Sequence, residues 1–431
     1  MLRCKPGEKF LVEATSDVRS RSAGLWLTLL LSAMVLLNYV DRGAVGIAAP
    51  KLKDELMLSA AAFGVVVSAF SWIYAPAQFA VGWLSDRFCV YRMIAAGLAV
   101  WALATFLTGF VNGFAMLVAL RVLLGVGEGV AFPSASKIIA RHVTAERRGL
   151  ANSALAVSIA WGPALGIFAG GLILRYFGWR PIFISFGLIT LLWIVPWLFV
   201  SKPQWRSYAH GSGKNVPVRL VMRNRTVWAM GIGHICNTYG FYFLLAWLPL
   251  FLVKVRHLSI LEMTTMITAA YVVQGFGALF WGWYSDHLVK RGWDEGRLRK
   301  GLLSLYQLIY AVSILGIGLS VSAPAILAWL VFGALFSGIG GTNPYAIAQV
   351  YAGPEAAGTW VGVMNGVGNS SGIFGPVLTG LLIQQTGSYL SAFVVSAIIV
   401  GFGGIWWWVA LPPVRRLELG WVDPQMRLAA T

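Results

Sequence analysis

Apolar runs of about twenty residues recur along the whole chain, and each is long enough to cross a bilayer as a helix. That repeat leaves few folds open. In lipid every backbone N–H and C=O must be satisfied within its own segment, so runs of this length fold as helices and not as open sheet. Twelve spans are expected, over 25–48, 61–84, 92–112, 114–136, 150–174, 180–200, 226–252, 263–284, 301–320, 324–349, 358–384 and 389–411. The composition agrees: at 58% hydrophobic and 11% charged, 431 residues could not clothe the surface of a soluble domain. The chain reads as an all-α membrane protein.

One long polar interruption, 201–225, carries six Lys or Arg and divides the spans into six plus six. The expected organisation is an N-terminal segment over 1–24, a six-helix bundle over 25–200, a linker over 201–225, a second six-helix bundle over 226–411 and a tail over 412–431. Basic residues alternate by side. The N-terminus, the loops after spans 2, 4, 6 and 8, and the C-terminus hold 24 of the 33, and the loops on the other face hold six. The positive-inside rule then puts both termini and the linker in the cytoplasm. The same alternation removes nucleic acid as the explanation of the +17 formal charge, because the basic residues do not gather on one folded face.

The first 22 residues hold five Lys or Arg and are not followed by a short apolar core with a cleavage site, so the first span is expected to stay in the mature protein. Cys4, Cys89 and Cys236 are scattered, with neither a disulfide framework nor metal-ligand spacing. No metal, cofactor or nucleic acid is expected, and a monomer in the bilayer suffices for this architecture.

The two halves echo each other. Gly82-Trp83-Leu84-Ser85-Asp86 follows span 2, and Gly282-Trp283-Tyr284-Ser285-Asp286 follows span 8, with four of five residues matching at an offset of 200. A parallel repeat of two six-span halves points to a transporter with its substrate site near the bilayer midplane.

Charges inside the spans narrow the function. Of sixteen acidic residues only Asp41 and Glu128 fall well inside spans, and Arg42 and Arg121 accompany them. A charge in hydrocarbon costs at least about 2.5 kcal/mol, so such residues usually face a bundle interior or a wet path. Arg121 and Glu128 are two helical turns apart on one face of span 4. They read either as a static ion pair or as part of a transport site. With all four groups charged the set is neutral. A carboxyl group taken out of water holds a proton more readily, whereas a guanidinium does not release one. Protonating one acid therefore leaves a positive site that favours a carboxylate. Asp41 and Arg42 are neighbours on a helix and so need separate partners.

Other polar residues could shape such a pocket. Tyr74 and Gln78 share a face, as do Asn365 and Asn369, with Ser370 following. Each serves equally well as an interhelical hydrogen bond between Gly-rich helices. The glycines of spans 4 and 11 permit close helix approach and are not phosphate loops, since no Walker-type lysine follows them.

Gly82, Leu84, Ser85, Asp86, Arg87 and Arg92 resemble the signature that follows span 2 in the major facilitator superfamily. The resemblance implies that Asp86 and Arg87 latch the cytoplasmic ends of helices in one transport state. A narrower resemblance rests on Asn38-Tyr39-Val40-Asp41-Arg42, on Arg121 through Pro133, on Cys236 through Pro249, and on Asn365 through Pro376. Together these are similar to the anion:cation symporters, carriers of sugar acids and other organic anions. That family implies proton sites at Asp41 and Glu128. It implies a substrate clamp at Arg42, substrate hydrogen bonds from Tyr39 and Tyr74, and an Arg121 that holds and releases Glu128.

The reading is a proton-coupled importer of a small carboxylate in a bacterial inner membrane. The alternatives are a drug/proton antiporter or an organic-anion exporter. The spans carry no nucleophile–His–Asp set and no metal cluster, so an enzyme is not expected.

Overall fold

The computed structural model describes residues 16–142, 145–206 and 218–417. Among them the chain is helical, with no strand, in the order α1 (Ser16–Glu55), α2 (Ala60–Arg87), α3 (Val90–Thr108), α4 (Phe114–Glu128), α5 (Ala131–His142), α6 (Ala145–Phe177) and α7 (Arg180–Arg206). It continues through α8 (Val218–Met222), α9 (Arg225–Lys254), α10 (Ile260–Lys290), α11 (Glu295–Leu319), α12 (Ala323–Asn369), α13 (Ser371–Thr386) and α14 (Tyr389–Ala410). Eleven of the described helical stretches are long and apolar enough to cross a membrane.

The expected fourth span is the one that falls short, because it is built from two helices, α4 and α5. Pro133 explains the break. It has no N–H to give the carbonyl four residues back, that of Gly129. Helix α4 consequently stops at Glu128, and Gly129 follows in a helical conformation with its N–H on the Gly125 carbonyl. Other boundaries also moved. The first helix continues through Pro50 to Glu55, which puts Asp41 and Arg42 well inside it. The residues between spans 10 and 11, expected as a loop, are helical, and the interruption falls at Ser370 instead. There the hydroxyls of Ser370 and Thr238 donate to the carbonyls of Val367 and Gly368, at 2.6 Å and 2.7 Å.

Elsewhere local chemistry sets the ends. Ser59 accepts from the Ala62 N–H at the start of α2, and Asp294 accepts from the Arg297 N–H at the start of α11. Gly178 and Gly387 close α6 and α13 with φ of +86° and +66°, a region that strains any residue with a Cβ.

The chain forms two compact units that are not contiguous in sequence. One comprises Met1–His210, Tyr242–Gly275 and Gly372–Ala392, and the other Gly211–Phe241, Phe276–Ser371 and Phe393–Thr431. In the first, α1 packs on α6, α3 on α7, and α4 on both α2 and α3. Its core includes Leu31, Met34, Leu98, Trp101, Ala135 and Trp197. Large apolar side chains such as Leu192 and Phe199 lie on its outside, as a lipid-facing surface allows. The second half's contribution to this unit packs tightly. A Cβ on Gly46 would stand 2.2 Å from the Leu245 carbonyl oxygen, and one on Gly64 would stand 2.4 Å from that of Pro376. At the same end Lys254 pairs with Asp54, and Glu55 accepts from both Arg180 and Trp179. The second unit has its own core of Met230, Tyr306, Tyr351, Trp360 and Trp407.

Candidate functional site

The four intramembrane charges of the sequence lie in the first unit, and all four are buried: Asp41, Arg42, Arg121 and Glu128 are 3%, 8%, 7% and 1% exposed. Their backbones are close because the helices are. A Cβ on Gly127 would lie 2.5 Å from the Gly97 carbonyl oxygen of α3, and one on Gly125 would lie 2.3 Å from the Phe70 carbonyl oxygen of α2. Small residues at these crossings let α4 approach both neighbours and deliver Glu128, its last residue, into the interior of the unit.

The two adjacent residues on α1 turn to different partners. Asp41 points toward α3, where Trp101 Nε1 donates to Oδ2 at 2.6 Å and Thr105 Oγ1 lies at 3.5 Å. Arg42 points toward α4, where its Nε donates to Glu128 Oε2 at 3.0 Å in a buried ion pair. The Arg42 guanidinium is also enclosed by rings, with the centroids of Tyr74, Tyr39 and Phe70 at 4.5, 4.8 and 5.4 Å. Each face-on aromatic contributes attraction to a cation that has lost its water.

Arg121 behaves differently. Its guanidinium lies 5.3 Å from the same Phe70 ring, its Nε has no hydrogen-bond partner among the described residues, and it makes no ion pair there. The family resemblance implies an Arg121 that holds and releases Glu128 and an Arg42 that clamps the substrate. In this structure Arg42 holds Glu128. A small cavity of about 30 Å³ opens beside the pair, bounded by Arg42, Arg121, Phe70, Tyr242 and Leu245. A void of that size holds about one water molecule. Two guanidiniums therefore border one small space, and only one is matched by a carboxylate there.

The remaining expected residues divide. Tyr39 and Tyr74 are present beside Arg42. Gln78, Asp86 and Arg87 belong to α2, and their side chains lie outside the described residues. Asn365, Asn369 and Ser370 lie in the second unit and bond locally. Asn365 Oδ1 accepts from Tyr345 Oη at 3.1 Å, Asn369 Nδ2 donates to the Asn365 carbonyl at 2.9 Å, and Ser370 donates to Val367.

Sequence reasoning missed Phe70, Trp101, Thr105 and Tyr242. Trp101 and Thr105 share a helix face at i,i+4, as do Phe70 and Tyr74, but nothing in the spacing says what that face meets. Tyr242 had a signal. The offset of 200 that matches Gly82-Trp83 to Gly282-Trp283 also matches Arg42 to Tyr242, and both residues line the cavity.

Comparison with known proteins places this arrangement. The family model described as Major Facilitator Superfamily matches residues 31–293 and 262–426. The hexuronate transporter of Bacillus subtilis is 29% identical over 384 residues, covering 86% of this chain and 90% of its own. The probable sulfoacetate transporter of Cupriavidus necator is 30% identical over 398 residues, again 86% and 90%. In fold the chain is similar to the crystal structure of a bacterial homolog of the human lysosomal transporter Spinster, inward-facing and unoccupied. That match has a TM-score of 0.75 at 18% identity, over 90% of this chain and 97% of that one.

Proposed function

This chain belongs to the major facilitator superfamily, and on that premise we propose that it imports a small organic anion together with protons across a bacterial inner membrane by alternating access. The observation that carries the reading is the buried pair of Arg42 and Glu128 beside a cavity that Arg121 also borders. An ion pair in a dry interior is a poor source of stability, because desolvation offsets most of its attraction. It is a good switch. A proton on Glu128 cancels the carboxylate charge and frees the Arg42 guanidinium, so that two cations then face the cavity. A carboxylate guest restores neutrality and can take Arg42 bidentately. When guest and proton leave, Arg42 returns to Glu128 and the empty site is neutral again.

Asp41 is the second acid. Trp101 and Thr105 hold it away from Arg42, so it can exchange a proton without breaking the pair. The names of the two relatives, hexuronate and sulfoacetate, support an organic anion as the guest. The basic residues in alternate loops support cytoplasmic termini. Tyr39 and Tyr74 would support the freed Arg42. Gln78 would contact the guest's remaining polar groups, and Asp86 with Arg87 would latch the cytoplasmic side.

The test uses purified protein in proteoliposomes with a pH dye in the external medium. Addition of glucuronate, sulfoacetate or benzoate outside should alkalinise the external medium as the anion enters. Acidification would mean antiport. Glu128→Gln should lose accumulation driven by a proton gradient and retain anion counterflow. Continued accumulation by Glu128→Gln would refute the assignment.

A further inference from the structure

Two buried guanidiniums border the cavity of the first unit, and each keeps a donor with no partner among the described residues. Arg42 and Arg121 are 8% and 7% exposed, and the open donors are Arg42 Nη2 and Arg121 Nε. Both residues line the space of about 30 Å³, whose other walls include the apolar Val45, Val67, Phe70 and Leu245. The two guanidinium carbons lie 5.4 Å and 5.3 Å from the centroid of one ring, that of Phe70. They therefore stand no further apart than those two distances laid end to end. A buried donor left open is costly, and a buried cation left unmatched is costlier.

Glu128 occupies only part of what Arg42 offers. Nε and Nη2 form one edge of a guanidinium, the fork that grips both oxygens of a carboxylate. Glu128 Oε2 takes the Nε prong, while Nη2 and Glu128 Oε1 have no partner among the described residues. A guest carboxylate that takes the whole edge gains a second bond. It leaves Arg121 as before, a buried cation facing the same space. A second acidic group on the guest removes that cost.

We propose that the preferred guest is a small dianion, with one acidic group on the Nε–Nη2 edge of Arg42 and the other on Arg121. This rests on the anion-transport reading and narrows it from carboxylates at large to molecules with two acidic groups a few bonds apart. Charge balance agrees. With Glu128 protonated the cavity faces two cations, because Asp41 is turned to Trp101 and Thr105 on α3 and does not line it. Two negative groups match two guanidiniums, and guest plus side chains are neutral when Asp41 also holds a proton. Tyr39 and Tyr74 over Arg42, and Tyr242 at the wall, add hydroxyls and no permanent charge.

The experiment is a thermal-shift titration of the purified full chain with matched acids near neutral pH. Malonate, succinate, glutarate and adipate are each compared with their half-amides, and glucarate with gluconate. The members of a pair share a carbon chain and differ by one negative charge. Glucuronate and benzoate are run alongside as monoanions. In the pair whose spacing fits, the dianion should stabilise the protein half-maximally at a concentration at least about tenfold below its partner, the scale of one hydrogen bond to a charged group. Arg121→Gln should remove that advantage and bring the pair within about twofold. Arg121→Lys, which keeps a cation, should retain it. Equal concentrations within every pair, or stabilisation by the monoanions alone, overturn the dianion and leave the anion reading standing. That comparison needs only the wild-type chain, so it holds if Arg121→Gln does not fold. An advantage that survives Arg121→Gln also overturns the proposal. No stabilisation by any of the acids overturns both the proposal and the anion reading beneath it.

Discussion

Arg42 and Glu128 are separated by 86 residues of sequence and joined by one N–H···O bond of 3.0 Å, with side chains 6% and 0% exposed. The contact makes one helix's permanent cation depend on another helix's titratable acid. Removing one partner strands the other charge in the interior at a cost of about 3–5 kcal/mol, whereas removing both leaves no stranded charge. Glu128→Leu and Arg42→Met should each lower the melting temperature of the purified protein, and the double variant should melt above either single one. Additive losses in that cycle would show that the pair is not coupled.

Trp101→Phe removes the indole N–H on Asp41 and keeps most of the ring. A hydrogen bond to a charged group contributes about 1.5–3 kcal/mol, so transport should fall roughly tenfold or more and its pH profile should change. An unaltered profile would show that Asp41 does not depend on this donor.

Gly127→Ala should destabilise the fold by about 1–3 kcal/mol through overpacking. The new methyl would meet the Gly97 carbonyl oxygen at 2.5 Å and the Trp101 N at 2.6 Å, and both are backbone atoms that cannot swing aside. Gly113→Ala is the control. Its Cβ would meet nothing within 4 Å, and thermal melting should be close to wild type.

Lys254 and Asp54 close one end of the first unit. Both are substantially exposed, so the pair contributes at most about 1 kcal/mol to stability. Cysteines at both positions, joined by a short bifunctional reagent, should nonetheless arrest uptake if that end must open in each cycle. A reducible linker should restore transport on reduction. Undiminished uptake in the fully crosslinked protein would show that the contact persists throughout the cycle.

Arg121→Lys keeps a cation at the cavity and loses the planar fork. It should weaken competition by carboxylates in counterflow while leaving the Arg42–Glu128 pair in place, because Arg121 does not contribute to that bond. Equal inhibition constants in variant and wild type would remove Arg121 from substrate binding.

The amino-acid sequence by itself determined the class of fold, the order of the spans, and which four charges had to be inside. Each follows from a cost that is local to one segment: the transfer of an apolar helix into lipid, or the penalty on a single buried charge. The sequence also contained the repeat that relates Arg42 to Tyr242. It could not say which guanidinium meets Glu128. Arg121 shares a helix face with Glu128 but stands two turns away, about 10 Å along the axis, while Arg42 comes from another helix altogether. The packing of α1, α2 and α3 around α4 decided between them. Gly125 and Gly127 let the backbones approach, and Pro133 broke the fourth span just after the acid. Those contacts join residues distant in sequence, so their geometry exists only once the helices have packed.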